Sequence, residues 1–352
     1  MSETPRLFLT RAGKSGEDEE FALEQSLAMI GFRNIQSLEA ARDYADVQRL
    51  VAQSMPNEPV RKIGNYAGQL WAFVVSMADG DIVAMPCKGT GQISLGRVAG
   101  PYRFQKIGDE YRHTRPVRWI RKDVPRTAFK QDLLDSMGAF MTVCNIQRNE
   151  AAQRVLSVIN GGNDPGFGSG GSPAPTASAQ MPPVNAEENV DYERAARDKI
   201  IAFITANFKE HDLTELVNAV LVAGGWVTKV SPKGPDGGVD IFAGRGLLGA
   251  DSPRLVVEVK SQGTPADVSI YRGLKSTIHT FGADQGLLVC MGDFTKSVKI
   301  EAKKDHFQVR IWNGEDLVDA ITTHYPDMSK EIQARLPMKP VWMLIDDETA
   351  LG

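Results

Sequence analysis

Cysteine is scarce in this chain of 352 residues: Cys87, Cys144 and Cys290 stand far apart, each among apolar neighbours, with no CxxC spacing and no adjacent histidine. That excludes a disulfide framework and a cysteine–histidine zinc set, and it makes all three reduced core thiols. Histidine is also sparse, with five in all, and neither His113 nor His211 has partners spaced as metal ligands. An ordinary surface or hydrogen-bonded role is expected for both. No run approaches the roughly 18 apolar residues that a membrane span needs. The opening, MSETPRLFLTRAGKSGEDEE, has no signal-peptide apolar stretch, so a cytoplasmic protein without a membrane partner is expected. A surplus of positive charge is missing too: the net charge is −4, which is no global signature of a nucleic-acid binder. Internal repeats are absent, which excludes a solenoid.

What is present is an ordinary globular composition, 42% apolar and 24% charged, over a length that allows two domains with separate cores. Residues 160–189 read NGGNDPGFGSGGSPAPTASAQMPPVNAEEN, rich in Gly, Ser, Pro and Ala and without apolar periodicity. Such a segment cannot bury enough surface to offset its ordering. It is expected to be a flexible linker with ends roughly 30 Å apart, separating a domain at 1–159 from another at 190–352.

The stretch from Pro232 to Gln262 carries the strongest chemical signal. Asp240 follows a short strand pattern with Val239 and Ile241, and a second apolar run (Leu255, Val256, Val257, Val259) carries Glu258 and Lys260. Side chains alternate along a strand, so Glu258 and Lys260 share one face while Val257 and Val259 take the other. Two carboxylates and an ammonium at one sheet edge suit phosphodiester hydrolysis with Mg2+ or Mn2+: the carboxylates grip the ion, and the lysine positions water or offsets developing charge. The same three residues, taken alone, equally suit a solvated strand edge.

The segments GPDGGVDI and VVEVKSQ resemble the catalytic stretch of the Mrr-like branch of the PD-(D/E)xK nucleases. The resemblance continues through Gly286 to Cys290, Phe294-Thr295, Val309 to Trp312 and Gly314 to Leu317, covering roughly residues 195–325. It implies a restriction-endonuclease-like α/β sheet, with Asp240 and Glu258 as metal ligands and Lys260 as the catalytic lysine. Asp236 and Gln262 border this trio and are weaker candidates. The family's further acidic residue, on the helix before the sheet, falls here on Thr214. Its neighbour Glu215 is a weak candidate, because Asp212-Leu-Thr-Glu215 reads as a capping box.

The first domain is expected to be α+β. A strand at Leu7–Leu9 leads to one helix with Phe21, Leu23, Leu27, Ala28 and Ile30 on its apolar side, and a second helix follows near Ala40–Met55. Residues 65–77 suit a helix or a helix feeding a strand. Short strands fill Asp81–Trp119, and helices are expected at Thr127–Thr142 and Gln147–Ile159. Arg11-Ala-Gly, Ile30-Gly-Phe32, Gln69 to Phe73, Gly80 to Val83 and Ile93 to Val98 resemble, in that order, EVE-like domains of the PUA superfamily. That implies a small β-barrel with helices that takes a flipped, often modified base. Such a pocket needs aromatic faces and polar edges; Phe32, Trp71 and Trp119 are the candidate faces, and Asn65, Gln69 and Ser94 the candidate edges. Barrel core is the plainer reading of each aromatic. Ten bases between Arg97 and Lys130 against three acids suggest a polyanion-facing surface. Arg11, Lys14, Arg97, Arg112 and Arg115 are the DNA-backbone candidates.

Together these readings predict a metal-dependent endonuclease for double-stranded, modified DNA, of the restriction or anti-phage type. It would work as a homodimer or higher oligomer, because one such site cuts one strand. A defence nuclease released by a small nucleotide in the first domain, and a non-catalytic DNA-binding protein, stay open.

Overall fold

The computed structural model describes residues 5–13, 16–138, 141–168, 191–232 and 238–342. Lys14 and Asp236 fall outside the described residues. The chain divides into two compact units at Ala195–Ala196.

The first unit opens with β1 (Leu7–Thr10), α1 (Glu19–Glu24) and β2 (Leu27–Ile30). The single helix expected here is broken, because Ser26 turns the chain at φ +58° and Leu27–Ile30 then pair antiparallel with Pro116–His113. Next come α2 (Tyr44–Ser54), capped by the Asp43 side chain on Asp46 N at 2.8 Å, and α3 (Val60–Trp71). A π-helical turn, Ala72–Ser76, extends α3 and decides the 65–77 ambiguity for helix. Strands β3 (Ile82–Pro86), β4 (Ile93–Val98), β5 (Arg103–Ile107) and β6 (Glu110–Val124) follow as the alternation predicts. After a 3-10 turn, α4 (Gln131–Met137) is shorter than expected, and an unexpected strand, β7 (Val143–Ile146), pairs antiparallel with β1 before α5 (Ala151–Ile159).

The seven strands run β2-β6-β4-β3-β1-β7, with β5 also on β6. The first half of β6 pairs with β2 and β5, and its second half with β4. The sheet therefore curls into an open half-barrel with helices, the form in which the expected barrel is realised. Phe8, Val83 and Met85 bury one face against α2 and α3, while Leu7, Leu9, Ile82 and Ala84 bury the other against α4 and α5. Arg154, fully buried on α5, binds Asp164 through Nε at 2.7 Å and Asp132 through Nη2 at 2.8 Å. Asp164 also accepts from Lys130 N at 2.8 Å, so residues just past α5 are tied to this unit.

The second unit contains α6 (Tyr192–Asn207), α7 (His211–Ala223), β8 (Val227–Val230), β9 (Ile241–Arg245), β10 (Asp251–Lys260), α8 (Val268–Phe281), β11 (Gln285–Cys290), α9 (Lys296–Lys304), β12 (Val309–Trp312), α10 (Gly314–His324) and α11 (Lys330–Arg335). Its five-stranded sheet runs β12-β11-β10-β9-β8, parallel through β10-β11-β12 and antiparallel at β9 and β8. Parallel strands need cover on both faces. Leu255 and Val257 pack against α6, α7 and α10, while Val256 packs against α8 and α9, giving a three-layer α/β domain. Pro340, Val341 and Trp342 form no strand.

Candidate active site

Asp240 enters at the mouth of β9. Its N–H donates to Val257 O at 2.9 Å and its carbonyl accepts from Ser231 N at 2.9 Å. Two residues earlier Gly238 turns at φ +84°, a left-handed backbone that glycine adopts without steric cost. The Asp240 carboxylate is then pinned across the strand pair, with Oδ2 accepting from Val259 N at 2.7 Å. The last recorded pair of β9 and β10 is Ile241–Val257, so Asp240 and Glu258 are the next residues on the two strands.

Glu258 and Lys260 project together as the alternation requires, and Lys260 Nζ lies 2.9 Å from Glu258 Oε1. The Glu258 side chain keeps 12% of its exposure and that of Lys260 34%, so the pair is sheltered from, yet reaches, solvent. Asp240, Val259, Lys260 and Gln262 line an open cleft of about 460 Å³ together with Glu210, His211 and Thr214 from the start of α7. Among the described residues no three His, Cys, Asp or Glu side chains cluster as a metal cage. Asp240 and Glu258 are the two carboxylates that could hold a hard divalent ion, which would need water and phosphate oxygens to complete its shell.

Glu210 is a cleft residue that sequence reading missed. It sits at φ +47°, ψ −114°, an unusual backbone for glutamate, directly before the first turn of α7. The only signal was its place ahead of an apolar helix; its approach to Lys260 depends on how α7 lies on the sheet. The expected capping box is not formed. Asp212 lies inside the helix, and Arg335 from α11 binds it at 2.6 Å and Glu215 at 2.8 Å while stacking over Phe208 at 5.0 Å. That contact turns Glu215 away from the cleft lining, and Thr214, 5% exposed, takes the inward position.

In the first unit the pocket candidates separate into two groups. Ser94 Oγ, fully buried, donates to Lys122 O at 2.7 Å, and Trp119 Nε1 donates to Ala22 O at 3.3 Å. Gln69 Oε1 accepts from Thr142 N at 2.8 Å and Val143 N at 3.2 Å, and its amide donates to Asn65 Oδ1 at 2.6 Å. These four hold the fold rather than offering free edges, because buried polar atoms must be satisfied. Phe32 and Trp71 are half-buried, meeting Tyr66 at 5.1 Å and Tyr44 at 6.2 Å edge-on.

The arginines expected on a DNA backbone are mostly turned inward. Arg112 binds Glu110 at 2.9 Å and Asp18 at 3.4 Å, Arg115 donates to Val74 O at 3.0 Å, Arg97 to Gly80 O at 2.8 Å and Arg11 to Met137 O at 3.4 Å. Burial lowers the pKa of Arg11 and Arg115 below the usual range. Cover, not alternation, decided this: Arg112 and Arg118 share a face of β6 by parity, yet Arg112, in the half of the strand flanked by β2 and β5, is buried while Arg118 is exposed.

A mixed sheet covered on both faces, with an acid, an acid–lysine pair and an open cleft at one strand end, defines a restriction-endonuclease-like domain. Residues 205–321, a third of the chain, match the family model described as restriction endonuclease, so the second unit contains a restriction-endonuclease domain. Residues 8–147 match a domain of unknown function, DUF8426. No curated protein matches. Solved structures similar to the chain include the protein of unknown function AF1548 (18% identity, 35% of this chain and 77% of that one, TM-score 0.25). The DNA modification-dependent restriction endonuclease AspBHI is similar at 14% identity, 88% and 78% coverage and TM-score 0.32. MspJI restriction endonuclease in complex with a 27-mer oligonucleotide is similar at 13%, 95% and 80%, and 0.31. None of the described helices is long and apolar enough to cross a membrane.

Proposed function

We propose that the chain is a metal-dependent DNA endonuclease of the restriction type, cytoplasmic and directed at foreign DNA, whose first unit reads modified bases. The observation that carries the reading is that Asp240, pinned by Val259 N–H, and Lys260, paired with Glu258 at 2.9 Å, both line an open cleft in an Mrr-type domain. Asp240 and Glu258 would hold Mg2+ or Mn2+, which when bound supplies Lewis-acid polarisation and a more acidic water. The Val259 N–H fixes the direction of the Asp240 carboxylate. Glu258 holds the Lys260 ammonium where it orients water or offsets charge on the phosphate. Gln262 lines the approach to the pair. For the first unit, the support is the half-buried set Phe32, Tyr66, Tyr44 and Trp71, whose rings suit stacking against a flipped base. Because one site cuts one strand, double-strand cleavage calls for a homodimer or higher oligomer.

The test is digestion, with Mg2+, of plasmids carrying different cytosine and adenine modifications by the wild type and by Lys260→Ala. Cleavage of a modified plasmid by the wild type alone supports the reading. Equal cleavage by both proteins removes Lys260 from the chemistry, and indifference to modification removes the base reader.

A further inference from the structure

The turn that joins α9 to β12 lies away from the cleft and has an unusual make-up. Phe307 is 90% exposed, and Lys303, Lys304, His306 and Arg310 around it are exposed as well. The turn is nevertheless firmly held. Asp305 O accepts from Gln308 N and Val309 N, both at 2.8 Å, and the Asp305 carboxylate accepts from Tyr271 Oη at 2.9 Å and Lys275 Nζ at 2.8 Å. Gln308 O accepts from Gly286 N at 2.9 Å, fastening the turn to β11. His306 meets the Phe307 ring edge-on at 5.2 Å, and the Arg310 guanidinium lies 2.8 Å from the His306 ring. A large aromatic side chain is thus presented to solvent on a rigid base.

The local charges do not cancel. The neighbouring acids are already taken, Glu301 by Arg272 at 2.5 Å and Asp305 by Lys275 at 2.8 Å. Lys303, Lys304 and Arg310 form no salt bridge with a carboxylate among the described residues, although Lys304 is near enough to Asp305 to help lower its pKa. Two lysines in the last turn of α9 also complement the helix dipole, and Arg310 rests against His306, but neither accounts for the exposed ring. Phosphates match the cations, and a rigidly held aromatic ring can wedge at a base step of a duplex.

We propose that the 303–310 turn is a second DNA contact, in which backbone phosphates lie on Lys303, Lys304 and Arg310 while Phe307 packs against a base. It stands near the start of β12, whereas Lys260 pairs with Cys290 at the other end of the parallel strands. At about 3.3 Å per residue the two ends are roughly 13 Å apart along the strands, so the turn binds DNA without entering the cleft. The inference rests on DNA being the substrate of the cleft, as proposed above.

The test uses the full chain without divalent ion and a labelled DNA duplex, with affinity measured by fluorescence anisotropy over a salt series. Substituting Lys303→Gln, Lys304→Gln and Arg310→Gln together should flatten the log–log salt slope by about 2 to 3, near 0.9 per lost phosphate contact. Phe307→Ala should weaken binding about ten-fold and leave the slope unchanged. Lys303→Arg with Lys304→Arg should retain both slope and affinity. All the altered side chains are exposed, so an unchanged melting curve verifies folding. An unaltered slope and affinity in the charge variant overturn the inference, as does a wild type that binds no DNA or that binds an acidic protein in its place. The two readings fail separately. If only the nuclease reading is wrong, Mg2+ brings no cleavage but the slope still changes. If only this one is wrong, wild type and charge variant cut plasmid alike at every salt concentration.

Discussion

Replacing Asp240 by asparagine removes a charge while leaving the acceptor that the fold uses. Its Oδ2 takes the Val259 N–H at 2.7 Å, and an asparagine carbonyl can take the same bond. A charged acceptor contributes roughly 1 kcal/mol more than a neutral one, so Asp240→Asn should lower stability by about that much. Asp240→Ala leaves the Val259 N–H without this partner and should cost about 1 to 3 kcal/mol. Cleavage should behave differently from stability. Both variants should lose about 100-fold or more in the Mg2+-dependent rate, because each removes a carboxylate from the metal and transition-state charge. The measurements are urea unfolding of each variant and single-turnover plasmid cleavage at a temperature where all are folded. If Asp240→Asn cuts at the wild-type rate and only Asp240→Ala fails, the carboxylate is a structural brace and the metal assignment is wrong.

Other consequences concern backbone strain and pH. Glu210 lines the cleft at φ +47°; glycine there should relieve the backbone and raise stability by about 1 kcal/mol, while cleavage falls with loss of the carboxylate, and a destabilised Glu210→Gly would show that no strain is stored. His113, fully buried between Tyr102 Oη at 2.8 Å and Ile35 O at 3.1 Å, has its pKa pushed down by burial from 6.5 to about 4. The unfolded chain takes up the proton near 6.5 and the folded one only near 4, so this stability is complete above pH 6.5 and is lost as pH falls towards 4. The loss should amount to about 3 kcal/mol. Urea titrations of the wild type and of His113→Gln across that window should show the slope only in the former.

Elements with a strong period and their own punctuation were legible in advance. The alternating β3 and β4 and the Val-rich β10 came out where the pattern put them. Short apolar runs were not. Leu27–Ile30 and Val143–Ile146 became strands because partners far along the chain, β6 and β1, offered hydrogen bonds, and no local period reports such a partner. The capping box at Asp212 failed in the same way, since Arg335 reaches both acids from α11.

The amino-acid order alone determined that two chemically distinct regions exist, that Glu258 and Lys260 share a face, and that an acid precedes them on a strand of its own. Those are properties of alternation and composition, which act over a few residues. Tertiary structure decided the rest: that Glu210 and His211 come to the Lys260 cleft, that Glu215 turns away, and that Gln69, Ser94 and Trp119 are spent on the fold. It decided as well that Arg112 and Arg115 point inward, because whether a side chain meets solvent, a carboxylate or a carbonyl depends on which element lies over it.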